Sequence, residues 1–348
     1  MGYDIGYHAV SLEHIQSTFE YILGIRDDLP YLEKAMIAAR SRFVANAWGL
    51  GVSQYKQKLL HQAMEAAKKE VEAPSFLGRL MGKKTPEPEF PKINYEDHIG
   101  NFDSHLHLWG RPFLITQTNE INKLIDQYLI ANGNQSKSLA QQQIDFLKPS
   151  LHQKIEPDKQ PQPDLEGFKH NASWKMDILR KCVEAYPAEV QDQDGQSHNS
   201  ADLLNFNLTF YVLENVSLAY PTWMDRGQVW PSHLLESAGI RSDYFKSFAQ
   251  LYPLESHLPK GVTIRNEKTI TENYMVGAVV LPEDIERFKM DIRDGRKTII
   301  KQATDAGWDF QCNQVLQKIE ECIDYAQKHT LCFIESTDIY SGPMGVMS

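Results

Sequence analysis

The 348-residue chain carries 46 acidic against 36 basic residues, a formal charge of −10, with 42% hydrophobic and 24% charged residues. Such a composition supports a sizeable globular core and argues against nucleic-acid binding, since the densest basic runs, Lys68-Lys69 and Lys83-Lys84, are short and interleaved with acids. It also excludes a membrane-spanning helix: the longest apolar stretch, Leu208 to Tyr220, is broken by Glu214 and Asn215 and falls short of the roughly 20 residues needed to cross a bilayer.

In chain order, Tyr3 to Val10 is rich in aromatic and β-branched residues and predicts a strand, with Ser11 placed to cap a following helix. Tyr31 to Trp48 and Gln54 to Glu72 carry apolar residues at helical spacing and predict a helical hairpin. Glu72 to Lys92 and Pro149 to Asn171 are punctuated by prolines and predict surface connections. Further helices are expected at Ser138–Phe146, Ser173–Tyr186, Leu203–Tyr220, Pro282–Ala306 and Asn313–His329. Strands are expected at Tyr274 to Leu281 and Leu331 to Thr337.

The strands thus lie at the two ends of the chain. If they share a sheet, the fold is α+β and predominantly helical, with a small sheet of N- and C-terminal strands and a large inserted helical region. We expect one elaborated domain over 1–348, with sub-regions 1–75, 93–260 and a β-α-α-β unit over 261–348. An internal echo links two of the units. Gly6-Tyr-His-Ala-Val-Ser-Leu-Glu-His-Ile resembles Gly277-Ala-Val-Val-Leu-Pro-Glu-Asp-Ile, each reading as a strand that feeds a helix, opened by Ser11 in one and Pro282 in the other.

Chemistry-bearing residues concentrate between Tyr95 and Trp109. As a strand, this segment would put Asp103, His105 and His107 on one face, which is half of a metal site. As a helix, Tyr95, Ile99, Phe102, Leu106 and Trp109 form one apolar stripe and Asp103 pairs with His107 at i, i+4, with Gly110-Arg111-Pro112 ending the helix. The unbroken stripe favours the helix. Elsewhere, Trp223, Arg226 and Trp230 lie in an aromatic loop between Pro221 and Pro231, with the composition of a binding hot spot. Glu335 and Asp338 form a carboxylate pair at a strand end. The four cysteines, Cys182, Cys312, Cys322 and Cys332, make no Cys-x-x-Cys pair and predict buried free thiols. No phosphate-binding glycine loop, dinucleotide fingerprint or serine-nucleophile elbow occurs, so no cofactor is expected from motifs.

Two resemblances add expectations. Asp103-Ser-His105-Leu-His107 resembles the strand-one motif of the amidohydrolase superfamily. That likeness implies one divalent metal such as zinc on His105 and His107, activating a water for hydrolysis. The chain start Met-Gly-Tyr-Asp-Ile-Gly-Tyr-His-Ala-Val, with Gly277 to Ile285 and Tyr325 to Asp338, resembles bacterial proteins encoded beside secreted toxins. That likeness implies a cytoplasmic immunity protein that binds and neutralises a toxin with a basic surface, and it carries no catalytic residues. An acidic chain whose N-terminus lacks a signal-like apolar run fits the second expectation, for which Trp223, Arg226, Trp230, Glu335 and Asp338 are the candidate binding residues.

Overall fold

A computed structural model describes residues 3–36, 63–66, 107–108, 111–112, 165–220, 222–227, 230–307 and 309–339. The chain opens with β1 (Tyr3–Val10) and α1 (Leu12–Ile22), followed by helical residues at 31–36 and 63–66. A two-stranded piece pairs β2 (His107–Leu108) with β3 (Arg111–Pro112). Next come α2 (Leu165–Ala185) and the hairpin of β4 (Glu189–Gln191) and β5 (Ser197–Asn199). A helical run then passes through a π-helical segment, Leu203–Asn207, into α3 (Leu208–Ser217). After β6 (Thr222–Gly227) come α4 (Pro231–Ser237), β7 (Lys246–Ser247), β8 (Val276–Val280), α5 (Ile285–Asp305), α6 (Asp309–His329) and β9 (Cys332–Thr337).

Five strands form one sheet in the order β6-β1-β9-β8-β7, with every neighbouring pair antiparallel. The fold is α+β and mainly helical, and the N-terminal strand pairs with the C-terminal one as Ile5 opposite Thr337 through Val10 opposite Cys332. Both β8 and β9 are buried at every residue, so each face of the sheet is covered. On one face, Phe288 of α5 meets Phe333 with ring centroids 5.0 Å apart, and Tyr325 of α6 meets Trp223 at 5.7 Å. α1, α2 and α3 pack on one another, and α3 packs against β1 and β8. β1 and β8 run parallel on either side of β9, so the two halves of the sequence echo flank one central strand. Ser11 caps α1 by accepting from the His14 N–H at 3.4 Å, whereas Pro282 starts a 3-10 turn before α5.

Three expectations need correction. His107–Leu108 is extended and pairs with Arg111–Pro112, so a helix does not run through His107 to end at Gly110; proline pushes its predecessor Arg111 into extended geometry. Residues 95–106 lie outside the described residues, as do most of the predicted hairpin over 31–72, the Glu72–Lys92 connection and the helix at Ser138–Phe146. The aromatic segment after Pro221 is a strand, not a loop: β6 sits at the sheet edge and pairs with β1 from Tyr3 opposite Gly227 to His8 opposite Thr222. The connection predicted over Pro149 to Asn171 is already helical from Leu165, two residues past Pro163. All four cysteines are buried free thiols. Among the described residues no helix is long and apolar enough to cross a membrane.

Candidate functional site

Two predicted residues meet in one polar network. Glu335, in the middle of β9 and fully buried, accepts hydrogen bonds from the Ser232 N–H at 3.0 Å, the Ser232 hydroxyl at 2.5 Å and the Ala278 N–H at 3.1 Å. Ser232 Oγ lies 2.7 Å from Thr269 Oγ1, and the Trp230 indole N–H donates to the same Thr269 oxygen at 3.0 Å. Burial drives the Glu335 pKa up to about 7, and the three donors only partly oppose it. The carboxyl thus titrates near neutrality at the end of a chain of hydroxyls.

This arrangement has local causes. Pro231 at the start of α4 needs no N–H, and Trp230 before it is extended, which turns the indole toward Thr269. At the other end of α4, Gly239 has φ +72°, its N–H reaches the Glu236 carbonyl at 2.9 Å, and the Ile240 N–H reaches the Leu235 carbonyl at 2.9 Å. That paired bonding is the glycine-terminated helix stop, and it sets the direction in which Ile240 and Arg241 leave the helix.

The other predicted residues are dispersed. Trp223 is fully buried against Tyr325, inside the core rather than at an exposed surface. Its indole N–H lies toward the Glu321 carboxyl without reaching hydrogen-bond geometry, and burial raises Glu321 to about 7. Arg226 is in β6, opposite Asp4 of β1. Asp338 follows β9 in the left-handed region, with φ +53°, donates its N–H to the Asp4 carbonyl at 2.7 Å and sets its carboxyl among the backbone amides of Asp4 and Tyr274. Glu335 and Asp338 therefore do not act as a pair. His107 lies in β2, while Asp103 and His105 are outside the described residues. Among the described residues no group of three His, Cys, Asp or Glu is gathered to hold a metal.

Two features were not anticipated from the residues. His8 is fully buried on β1, its ring nitrogens 3.1 Å from Thr222 Oγ1 and 2.8 Å from Ser336 Oγ, and burial lowers its pKa to about 3, so it is neutral. The second feature is an aromatic surface. Phe206, in the π-helical segment, is 51% exposed, and Tyr274 is 60% exposed. The Arg265 guanidinium lies 5.4 Å from the Phe206 ring centroid and pairs with Glu272 at 2.7 Å. Tyr274 meets Phe210 edge-on at 5.9 Å, and Asn205 Oδ1 accepts from the Thr263 N–H at 2.8 Å, tying the π segment to the loop that carries Arg265. Tyr274 has φ +56°, a backbone state costly for a bulky side chain. Two exposed aromatics are thus held in place by a π-helical turn and a strained residue, both features that cluster at functional sites. Compared with protein-family models, curated proteins and solved structures, the chain matches none of them.

Proposed function

We propose that the chain is a binding protein of the immunity type, which neutralises a cognate bacterial toxin or effector in the cytoplasm by occupying its surface. The observation that carries this reading is the exposed pair Phe206 and Tyr274, with the Arg265–Glu272 ion pair set against the Phe206 ring and Tyr274 set edge-on against Phe210. Aromatic residues and Arg dominate binding hot spots, because rigid rings bury large area at small entropic cost and charged neighbours form the rim. The formal charge of −10 adds long-range attraction to a partner with a basic surface. Deleting the gene from its host should sensitise cells to the toxin encoded beside it. The intact chain should restore growth, and a Phe206→Ala, Tyr274→Ala chain should not. Full resistance of the deletion strain would overturn the proposal.

One observation favours a second reading, a metal-dependent hydrolase. His107 is in a strand, the geometry that would place alternate residues of the Asp103-His105-His107 motif on one face. Against it, neighbouring strands of the five-stranded sheet are antiparallel, unlike the parallel barrel that carries this motif in amidohydrolases. Elemental mass spectrometry of untagged protein decides it. Near-stoichiometric zinc, iron or manganese that disappears in a His105→Ala, His107→Ala variant would make the chain a hydrolase candidate in place of the binding protein, and no metal in either would remove this second reading.

A further inference from the structure

Between α4 and the segment carrying Thr269 lies a cavity of about 420 Å³, whose walls include Ser232, Ile240, Arg241, Phe245, Lys268 and Thr269. We infer that this cavity is a binding site for a small organic carboxylate. The inference is independent of the toxin-binding reading, which concerns the surface around Phe206 and Tyr274.

Charge is the first ground. Most arginines and several lysines of the described structure are neutralised, as Arg180 is by Asp27 and Glu184, Arg287 by Asp243, Lys289 by Asp324 and Arg296 by Glu320. Among the described residues Arg241 and Lys268 have no such carboxylate partner, yet both line one cavity on a chain of net charge −10. Two cations against the single carboxylate of Glu236 leave this concave site with a surplus of positive charge that favours an anion, and an arginine fork matches a carboxylate in two parallel hydrogen bonds.

The second ground is the hydroxyl chain that ends in the cavity. Trp230, Thr269, Ser232 and Glu335 are bonded in series, and Thr269 is the half-buried link at the wall. When the Glu335 carboxyl carries the proton and donates to Ser232, Ser232 can donate to Thr269. The Thr269 hydroxyl, already accepting from Trp230, is then left with its own hydrogen to offer a bound oxygen anion. The third ground is shape. Ile240 and Phe245 supply an apolar wall, and the volume lies at the small end of the roughly 300–1,000 Å³ usual for organic ligands. Glu236 also lines the cavity and would repel a phosphate dianion more strongly than a carboxylate monoanion.

The test titrates the full chain with benzoate and hexanoate by isothermal calorimetry, with inorganic phosphate and benzyl alcohol alongside. Saturable carboxylate binding with a Kd of about 1 mM or tighter is expected for ligands of this size. Arg241→Ser and Lys268→Ser, both at exposed positions that leave the fold intact, should each weaken binding about tenfold, the usual effect of losing a charge-assisted hydrogen bond. Unchanged circular dichroism of the variants keeps that reading clean. No carboxylate binding, carboxylate binding indifferent to both substitutions, or equal binding of benzyl alcohol or phosphate would each overturn the inference.

Discussion

Gly277 lies against the buried carboxyl of Glu335: a Cβ built on the glycine would stand 2.6 Å from Glu335 Oε1 and 2.8 Å from the Ile270 side chain. Its counterpart in the echo, Gly6, has the same relationship to the other buried titratable group, with a Cβ falling 2.6 Å from His8 Nε2 and 3.3 Å from Ser336 Oγ. Both glycines make room for a polar side chain that the sheet has fully enclosed. Gly277→Ala should therefore destabilise by about 2 kcal/mol, as overpacking of a closed site does, with Gly6→Ala comparable. A double-mutant cycle in urea identifies the cause. In a Glu335→Ala background the Gly277→Ala cost should shrink, because the clashing carboxyl is gone; strict additivity would refute the contact as the origin.

The buried groups also set opposing pH dependences. Glu335 has a folded pKa near 7 against an ordinary 4.5, so the folded state holds a proton that the unfolded state has released. Its contribution is fully present below pH 4.5 and declines as pH rises to about 7, by roughly 3 kcal/mol at 1.36 kcal/mol per pKa unit. Glu321 acts in the same direction over the same window. His8, lowered from 6.5 to about 3, acts in reverse: its contribution is present above pH 6.5 and is lost as pH falls toward 3. Between pH 4.5 and 6.5 these slopes partly cancel, whereas from 6.5 to 7 the carboxyls act alone. Glu335→Gln should lower stability at pH 5, and the deficit relative to the parent should narrow steadily toward pH 8. A deficit constant with pH, measured by urea unfolding at both values, would show that Glu335 does not titrate in this range.

The terminal strands were legible because a sheet covered on both faces selects apolar runs, as in Val276–Val280 and the first half of the last strand, Cys332 to Ile334. β6 was hidden for the opposite reason. An edge strand tolerates Asp225, Arg226 and a flanking proline, and these read as a loop when the pairing partner, more than 200 residues away, is unseen. Glu335 was visible as a residue, but its role depended on Ser232, 103 positions earlier, and on a glycine opposite it. Phe206 looked like one more apolar residue of a helix. The π-helical turn that leaves its ring in solvent is not encoded in any spacing of apolar positions.

Thr269 offers a test of whether the polar series is one unit. Trp230→Phe removes only the indole donor, leaving Thr269 bonded to Ser232, so it should cost about 1 kcal/mol. Thr269→Val removes a hydroxyl that both Trp230 and Ser232 use and leaves the indole N–H unsatisfied in a half-buried site, so it should cost more. In the double variant the two costs should fall well short of their sum, and full additivity in thermal unfolding would dissolve the series into separate bonds.

Tyr274 combines a left-handed backbone with a ring 60% exposed, so stability and binding make opposite demands on it. Replacing it by alanine keeps the backbone strain and removes the edge-on contact with Phe210, whereas glycine removes both. Tyr274→Gly should accordingly be more stable than Tyr274→Ala by about 1 kcal/mol and close to the parent. Both substitutions, like Phe206→Ala, should weaken partner binding at least about tenfold if the aromatic surface is the hot spot. Thermal unfolding together with affinity for the toxin gives the two axes independently. A Tyr274→Gly chain that keeps its stability but loses its partner would mean that the strain is retained for recognition. One that binds as well as the parent would remove Tyr274 from the interface.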